Sequence, residues 1–381
     1  MNTTLHVGLL VNPLAGLGGA LALKGSDGEA LRTLVAELPA IERQRALLRT
    51  VRALNLLQPR SSCVRFSCGS GGMGESALQQ TDFAFEVLGR LGAGLTSASD
   101  TRTVTAALRA AGVDLILFAG GDGTARDVYD AIGSSFPVLG IPAGVKMHSG
   151  VFAVSPEAAG ELLLRLTAGG LVGLQVQEVR DIDEEAFRRG EVRSRFYGEM
   201  MVPSEGHYLQ HTKIGGREDP ELAAADIAAW QAETMLEDTT YLIGPGSTTA
   251  AIMAELDVPN TLLGVDVVRN RALLAADANE VALLQVLAEV PGAARMVVTV
   301  IGGQGHLFGR GNQQFSPAVI RRVGLDNIVV VAAKSKITRL EGRPLLVDTN
   351  DAALDLELCG YRTINTGYND HILYPVGAGS A

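Results

Sequence analysis

The stretch that most constrains this chain runs from Leu115 to Asp127. Leu115-Ile-Leu-Phe-Ala119 is an apolar run of strand length. It leads directly into Gly120-Gly121-Asp122-Gly123-Thr124, after which a helical pattern begins. An apolar strand that breaks on glycines and resumes as a helix belongs in a layered α/β sheet, where ligands bind beyond the carboxyl ends of the strands. Free N–H groups at the helix start favour phosphate, and glycines let the backbone approach it. Asp122 is the ionisable side chain of this turn. Beside bound phosphates, a carboxylate can accept a proton from an attacking hydroxyl or help to hold Mg²⁺. The same residues also read as a glycine turn in which Asp122 caps the helix. The residues alone leave both readings open.

The surrounding pattern extends the α/β layer. Val7 to Val11 reads as a strand ended by Asn12-Pro13, and Gly16, Gly18 and Gly19 follow as a turn. A GxGxxG fingerprint fails there because its last position is Leu21, which weighs against a dinucleotide oxidoreductase. Helical spacing runs through 28–57, a strand is expected near Cys63 to Cys68, a helix near Ser76 to Leu91, and another from Asp100-Thr101. Strands alternating with helices predict a doubly wound sheet. Beyond a helix at Pro156 to Leu166, Leu174 to Asp183 and Val192 to Val202 read as an antiparallel hairpin, so a second, partly β domain is expected. Helices are expected at 219–237 and 277–289, strand-turn elements at 240–250 and 261–268, and strand cores at 295–301 and 327–333.

Composition narrows the function class. Hydrophobic residues make up 47% of the 381, enough for a sizeable core and too many for a disordered chain. A net charge of −10 argues against a general nucleic-acid binder. Cys63, Cys68 and Cys359 make neither a disulfide framework nor a zinc pattern and read as reduced thiols. No apolar run reaches the ~20 residues of a membrane span. The opening MNTTLH lacks the positive charge of a signal peptide. These features predict a cytoplasmic protein with no nucleic-acid partner and no membrane.

Further loops carry candidate contacts. Lys146 and His148 lie in a second glycine loop and could neutralise or donate to phosphate. Gly244-Pro-Gly-Ser-Thr-Thr249 precedes a helical stretch, where Ser247 and Thr248 could cap the helix or the loop could hold an anion. The glycine-rich run Ile301 to Asn312 includes Arg310, whose guanidinium could fork onto phosphate. His207 and His211 at i,i+4 lack the Glu of a zinc-protease helix. Asp181 to Glu185 reads as a solvated turn, and Asp348 to Asp351 as a capped turn. The metal ligands are not legible.

Gly-Gly-Asp-Gly-Thr after an apolar strand resembles the superfamily of NAD kinases, 6-phosphofructokinases and diacylglycerol or sphingosine kinases. Pro137-Val-Leu-Gly-Ile-Pro-Ala-Gly-Val-Lys-Met-His-Ser-Gly-Val-Phe-Ala153 is similar to the second glycine loop of NAD kinases. Asn12-Pro-Leu-Ala-Gly-Leu-Gly-Gly19 with Lys24-Gly-Ser-Asp-Gly28 resembles the N-terminal loop of ATP-NAD kinase-like proteins, the branch that includes the acetoin-catabolism accessory protein X. Ile243-Gly-Pro-Gly-Ser-Thr-Thr249 is similar to the family's Gly-Ser-Thr loop.

The resemblance implies an α/β nucleotide-binding domain at 1–150 and a β-rich second domain at 151–325, with the active site between them. It also implies that a segment at 326–381 packs back on the first domain. It implies ATP as donor, Mg²⁺, and a small-molecule hydroxyl acceptor, by default the 2′-hydroxyl of the adenosine ribose of NAD. Asp122 would activate that hydroxyl. Nucleotide contacts would come from Asn12, Gly16, Gly18, Gly120, Gly121, Gly123, Thr124, Gly244, Gly246, Ser247 and Thr248. Lys146, His148 and Arg310 would meet phosphate or acceptor. A homo-oligomer is expected. Two departures stand out. Ile141-Pro142 replaces the Asn that NAD kinases place after the Val-Leu-Gly strand, and Arg126-Asp127 replaces the Asn-Glu of the lipid kinases. They motivate an alternative, a non-catalytic nucleotide-binding sensor or accessory protein.

Overall fold

The computed structural model describes residues 3–16, 44–88, 96–144, 147–182, 194–204, 213–214, 217–218, 220–261, 263–300 and 305–378. They divide into two compact units. The first comprises Thr4–Thr167 and Leu174–Glu205, and the second Met1–Thr3, Ala168–Gly173 and Gly206–Ala381.

The first unit is built on a five-stranded parallel sheet. Its strands are β1 (Leu5–Val11), β2 (Val64–Cys68), β3 (Ala84–Val87), β4 (Leu115–Gly120) and β5 (Val138–Pro142), in the order β3-β2-β1-β4-β5. The apolar runs of β1, β4 and β5 are buried throughout, as expected for a parallel sheet covered on both faces. The helices are α1 (Arg45–Leu57), α2 (Ala98–Ala110), α3 (Asp122–Ile132) and α4 (Pro156–Thr167). Ser97 starts α2 with a capping box: its backbone N–H donates to the Asp100 carboxylate at 2.8 Å while its hydroxyl accepts from the Asp100 N–H. The order of connections reverses between β1 and β4, so the carboxyl ends of these two strands open the crevice where such sheets bind ligands.

The helix expected at Ser76 to Leu91 is not formed. A single turn at Glu75–Leu78 is followed by β3, which pairs in parallel with β2. Phe85 and Val87 alternate with Ala84 and Glu86, and this period of two suits a sheet edge. The pair β6 (Val172–Ile182) and β7 (Ser194–Ser204) hydrogen-bond to each other. From Leu174 onward this pair belongs to the first unit, not to the second as the sequence suggested. The reason is local: Ser149 Oγ donates to the Arg180 carbonyl at 3.0 Å and accepts from its N–H at 2.9 Å, tying β6 to the loop after β5. The turn at 183–190 lies outside the described residues.

The second unit is β-rich, as expected, and its sheet is mixed. Its strands are β8 (Thr240–Ile243), β9 (Asp266–Arg269), β10 (Ala272–Ala275), β11 (Ala294–Thr299), β12 (Ile328–Val331), β13 (Leu345–Val347), β14 (Gly360–Gly367) and β15 (Asp370–Ala378). They run in the order β10-β9-β8-β11-β12-β14-β15, with β13 beside β15. Neighbours among β8, β11, β12 and β14 are parallel. The helices are α5 (Pro220–Thr234), α6 (Ser247–Glu255), α7 (Glu280–Glu289), α8 (Pro317–Val323), α9 (Lys334–Thr338) and α10 (Ala352–Leu358). Leu242, Met296, Val298 and Val330 face one core with Leu283, Val319 and Leu354. Tyr241, Ile243, Val297 and Val331 face the other with Ile227, Ile252 and Met253. The alternation follows from the two-residue period of a strand.

Residues 326–378 supply β12 to β15 to this sheet, so a domain boundary at 325 would cut between the central neighbours β11 and β12. The hairpin of β14 and β15 went unread in the sequence. Its turn holds Asn369 at φ 49°, a conformation that Asn tolerates better than most side chains.

Candidate active site

Asp122 is the first residue of α3, and Gly121 is the residue that caps it. The capping reading of Asp122 is therefore replaced. Its carboxylate turns back to the loop after β5, where Oδ2 accepts from the His148 N–H at 2.8 Å and Oδ1 from the Ser149 N–H at 3.0 Å. The side chain is buried, and His148 Nδ1 lies 3.3 Å from Oδ2. Two backbone donors, one per oxygen, hold the carboxylate in a single orientation. The partly exposed imidazole lies beside it, on the way to solvent.

The crevice between β1 and β4 is closed by side chains from both loops. Asn12 Nδ2 donates to Thr124 Oγ1 at 2.9 Å, and Asn12 Oδ1 accepts from the Leu14 N–H at 3.0 Å. Thr124 packs so closely under the strand end that a Cβ on Gly120 would fall 2.4 Å from its Cβ. Only glycine fits at position 120. Apart from its chain neighbours and its own helix, no described residue comes within 4 Å of a Cβ built on Gly123. Gly121 stacks on Gly144 of the loop after β5. Gly16 instead packs against the Ala143 carbonyl. Gly18 and Lys146 lie outside the described residues.

The sequence reading missed the arginines of α1. Arg49 Nε donates to the Pro142 carbonyl at the end of β5. A Cβ on Gly16 would sit 2.9 Å from Arg45 Cδ. These two residues are one helical turn apart, so α1 carries two cations to the carboxyl ends of β1 and β5. Burial and the neighbouring Arg45 and Arg52 lower the Arg49 pKa below the ordinary arginine value. A repeat of Arg45, Arg49 and Arg52 on one helix face was the available signal. Asp127 was read only as part of the Arg126-Asp127 departure from the lipid kinases. It is buried, with Arg102 at 3.0 Å and Arg126 at 3.7 Å. Among the described residues, no group of three or more His, Cys, Asp or Glu could hold a metal ion.

The other predicted contacts lie in the second unit. Gly244 and Gly246 lie in the turn from β8 into α6, and Ser247 and Thr248 are the first two residues of α6. Gly246 precedes the helix at φ 138° with no side-chain cap. Ser247 and Thr248 are therefore inside the helix and do not cap it. Arg310 is exposed on the loop after β11, close enough to His306 to help burial depress that imidazole. The cysteines are free, and burial raises the Cys68 thiol to about 12, a poor nucleophile. His207 and His211 lie outside the described residues. Asp351 caps α10, accepting from the Ala353 and Leu354 N–H groups, so that turn is structural. None of the described helices is long and apolar enough to cross a membrane.

A parallel sheet in the order β3-β2-β1-β4-β5, with an aspartate held at the end of β4 beside a glycine helix start, defines a doubly wound α/β protein class. Two family models match the chain in order: the ATP-NAD kinase N-terminal domain over residues 7–171 and the ATP-NAD kinase C-terminal domain over 236–376. Together they cover most of the chain, which belongs to the ATP-NAD kinase-like family. No curated protein and no solved structure matches it.

Proposed function

We propose that this protein is an ATP-dependent kinase that phosphorylates a hydroxyl of a small molecule, with the 2′-hydroxyl of the adenosine ribose of NAD as the first acceptor to test. The observation that carries the reading is the Asp122 carboxylate, clamped by two backbone N–H groups at a glycine helix start. Phosphates of the donor bind at the α3 N-terminus, where Gly123 leaves room and the helix dipole favours negative charge. Arg45 and Arg49 add positive charge at the same strand ends. Asn12 and Thr124 hold the two loops in register.

Asp122 accepts the proton of the acceptor hydroxyl as that oxygen attacks the γ-phosphorus, and the bond from phosphorus to the bridging oxygen of ADP breaks. An alcohol is a weak nucleophile, so orientation and charge neutralisation lower most of the barrier. His148, 3.3 Å from the carboxylate, passes the proton on to solvent. A single protein carboxylate fits Mg²⁺, which is commonly held by one or two carboxylates with substrate phosphates and water. With Asp122 serving as the base, the donor phosphates and water would supply most of the ligands, and the bound ion would neutralise phosphate charge.

The acceptor is the open element. Ile141-Pro142, where NAD kinases carry Asn, is buried at the end of β5 and presents no polar side chain. This favours an acceptor other than NAD, or the nucleotide-sensing alternative. The test is ATP-dependent phosphorylation by purified protein with Mg²⁺, offering NAD and a panel of hydroxyl metabolites and resolving products by mass. Gain of one phosphoryl group, absent in Asp122→Asn, supports the kinase. Nucleotide binding with no product from any acceptor overturns it in favour of the sensor.

A further inference from the structure

The glycine-rich loop between β11 and α8 carries polar side chains that the proposed reaction leaves unused. Among the described residues, three buried side-chain polar atoms have no hydrogen-bond partner, and all three lie on or beside this loop. Thr299, with Oγ1 unpaired, is the last residue of β11, while His306 Nδ1 and Asn312 Oδ1 lie within the loop itself. His306 is 8% exposed and Asn312 2%. Asn312 Nδ2 donates to the Leu307 carbonyl at 2.9 Å, which fixes the amide and leaves Oδ1 as an acceptor with nothing to accept from. The same bond closes the chain from 307 to 312 on itself. His306 and Asn312 stand at the neck of this closed turn, and Arg310 stands at its tip between Gly309 and Gly311, at φ 98° and 75°. Backbone bonds pin the neck. The Leu307 N–H donates to the Leu346 carbonyl at 2.7 Å, and the Leu346 N–H to the Gly305 carbonyl at 2.9 Å.

A buried polar atom without a partner has given up water for nothing, so native proteins keep few of them. Two on one short, pinned turn point to a ligand that brings the missing hydrogens. Burial, the largest cause, and then Arg310 lower the His306 pKa below the ordinary imidazole value, with Asp348 and the Phe308 backbone opposing. The ring is therefore neutral near pH 7 and has one nitrogen that accepts. Two neutral acceptors with a guanidinium close by are a poor cage for a metal ion and a good one for hydroxyl donors. The rim has the same character. Arg310 brings donors, and the exposed Asp348, whose backbone packs on Gly309, brings an acceptor. Neighbouring hydroxyls, which donate and accept at once, match such a mixture.

We propose that His306 and Asn312 form a recognition site of the second unit for neighbouring hydroxyl groups of a small polyol, with Arg310 and Asp348 at its rim. The site does not depend on the kinase reading; only its assignment to that kinase's acceptor rests on it. Its mark is a trade between stability and binding. His306→Phe keeps a ring and removes the unpaired nitrogen, so the ligand-free protein keeps or gains melting temperature while polyol binding is lost. A histidine that merely held the loop would behave in the opposite way.

The experiment titrates the full chain with sorbitol, gluconate and succinate, without ATP. Imidazole nitrogen NMR follows His306, calorimetry gives the affinities, and melting curves are taken of the ligand-free proteins. Sorbitol and gluconate are expected to shift the His306 Nδ1 resonance saturably, whereas succinate, which has no hydroxyl, leaves it in place. His306→Phe is expected to weaken sorbitol binding about fivefold or more, the scale of one neutral hydrogen bond. A His306 resonance that neither polyol moves would overturn the proposal, and so would an equal shift by succinate. Undiminished sorbitol affinity in His306→Phe would overturn it as well. If His306→Phe does not fold, the wild-type spectra decide on the same terms. Because ATP is absent throughout, failure of the kinase reading leaves this site standing.

Discussion

The strand ends of the two units use one backbone device with opposite charge. In the first, β4 runs through Gly121 into α3, and the group held at the helix start is the Asp122 carboxylate. In the second, β8 runs through Gly246 into α6, and the group held there is the Lys336 ammonium. The strand-turn-helix supplies N–H groups and room in both places. Side chains decide what each place can do. A carboxylate can take a proton from a neighbour, whereas the Lys336 ammonium, donating to Thr248, adds positive charge beside a helix N-terminus. The comparison teaches that a glycine turn locates a site without specifying its chemistry.

The sharpest way to break this contrast is Asp122→Asn. Removing a general base is expected to lower phosphoryl transfer by about 10²–10⁴-fold while donor affinity changes little, as measured by product mass and by calorimetry. Equal turnover would place the chemistry elsewhere.

A pH titration of stability is expected to show the next largest effect, and it separates the units. His6, buried in β1, is depressed from 6.5 to about 4, chiefly by burial and then by Arg65. The unfolded chain binds the proton more readily, so stability falls as pH drops below 6.5 and levels off below about 4. A shift of this size corresponds to roughly 3 kcal/mol. Lys336 has the same sign at alkaline pH: its folded pKa is lowered, so stability rises as pH climbs through it toward the ordinary lysine value. Denaturant melts of His6→Gln should be flatter from pH 6.5 to 4, and those of Lys336→Met flatter at high pH. Unchanged slopes would reject either assignment.

Ser149→Ala tests the clamp on Asp122. It leaves the Arg180 N–H and carbonyl without their partner and is expected to cost about 1–2 kcal/mol of stability by denaturant melt. Turnover should fall with KM for ATP preserved, because the donor to Oδ1 moves. The smallest expected effect is that of Asn12→Ala, about 1 kcal/mol, from loss of the bond to Thr124. A larger loss of ATP affinity than of stability would show that Asn12 also touches the donor.

Much of the first unit was legible because its signals are local. Buried parallel strands are short apolar runs, and the turn after β4 needs glycine wherever it is placed. The helix wrongly expected at 76–91 shows the limit. Four residues of alternation at a sheet edge are too few to outweigh helical spacing until the partner strand is known. The last hairpin escaped for a similar reason, since β14 and β15 carry polar residues such as Asn365 and His371 among their apolar ones.

The sequence by itself determined most strands and helices of the first unit, the glycine turns and the family, since each depends on residues adjacent in the chain. Only the tertiary structure decided which side chains meet at those turns. Asp122 finds its donors 26 and 27 residues away, and Lys336 reaches Thr248 across 88. Contacts over such separations follow from strand order, which no local pattern encodes. The charge held at each helix start is therefore a property of the fold.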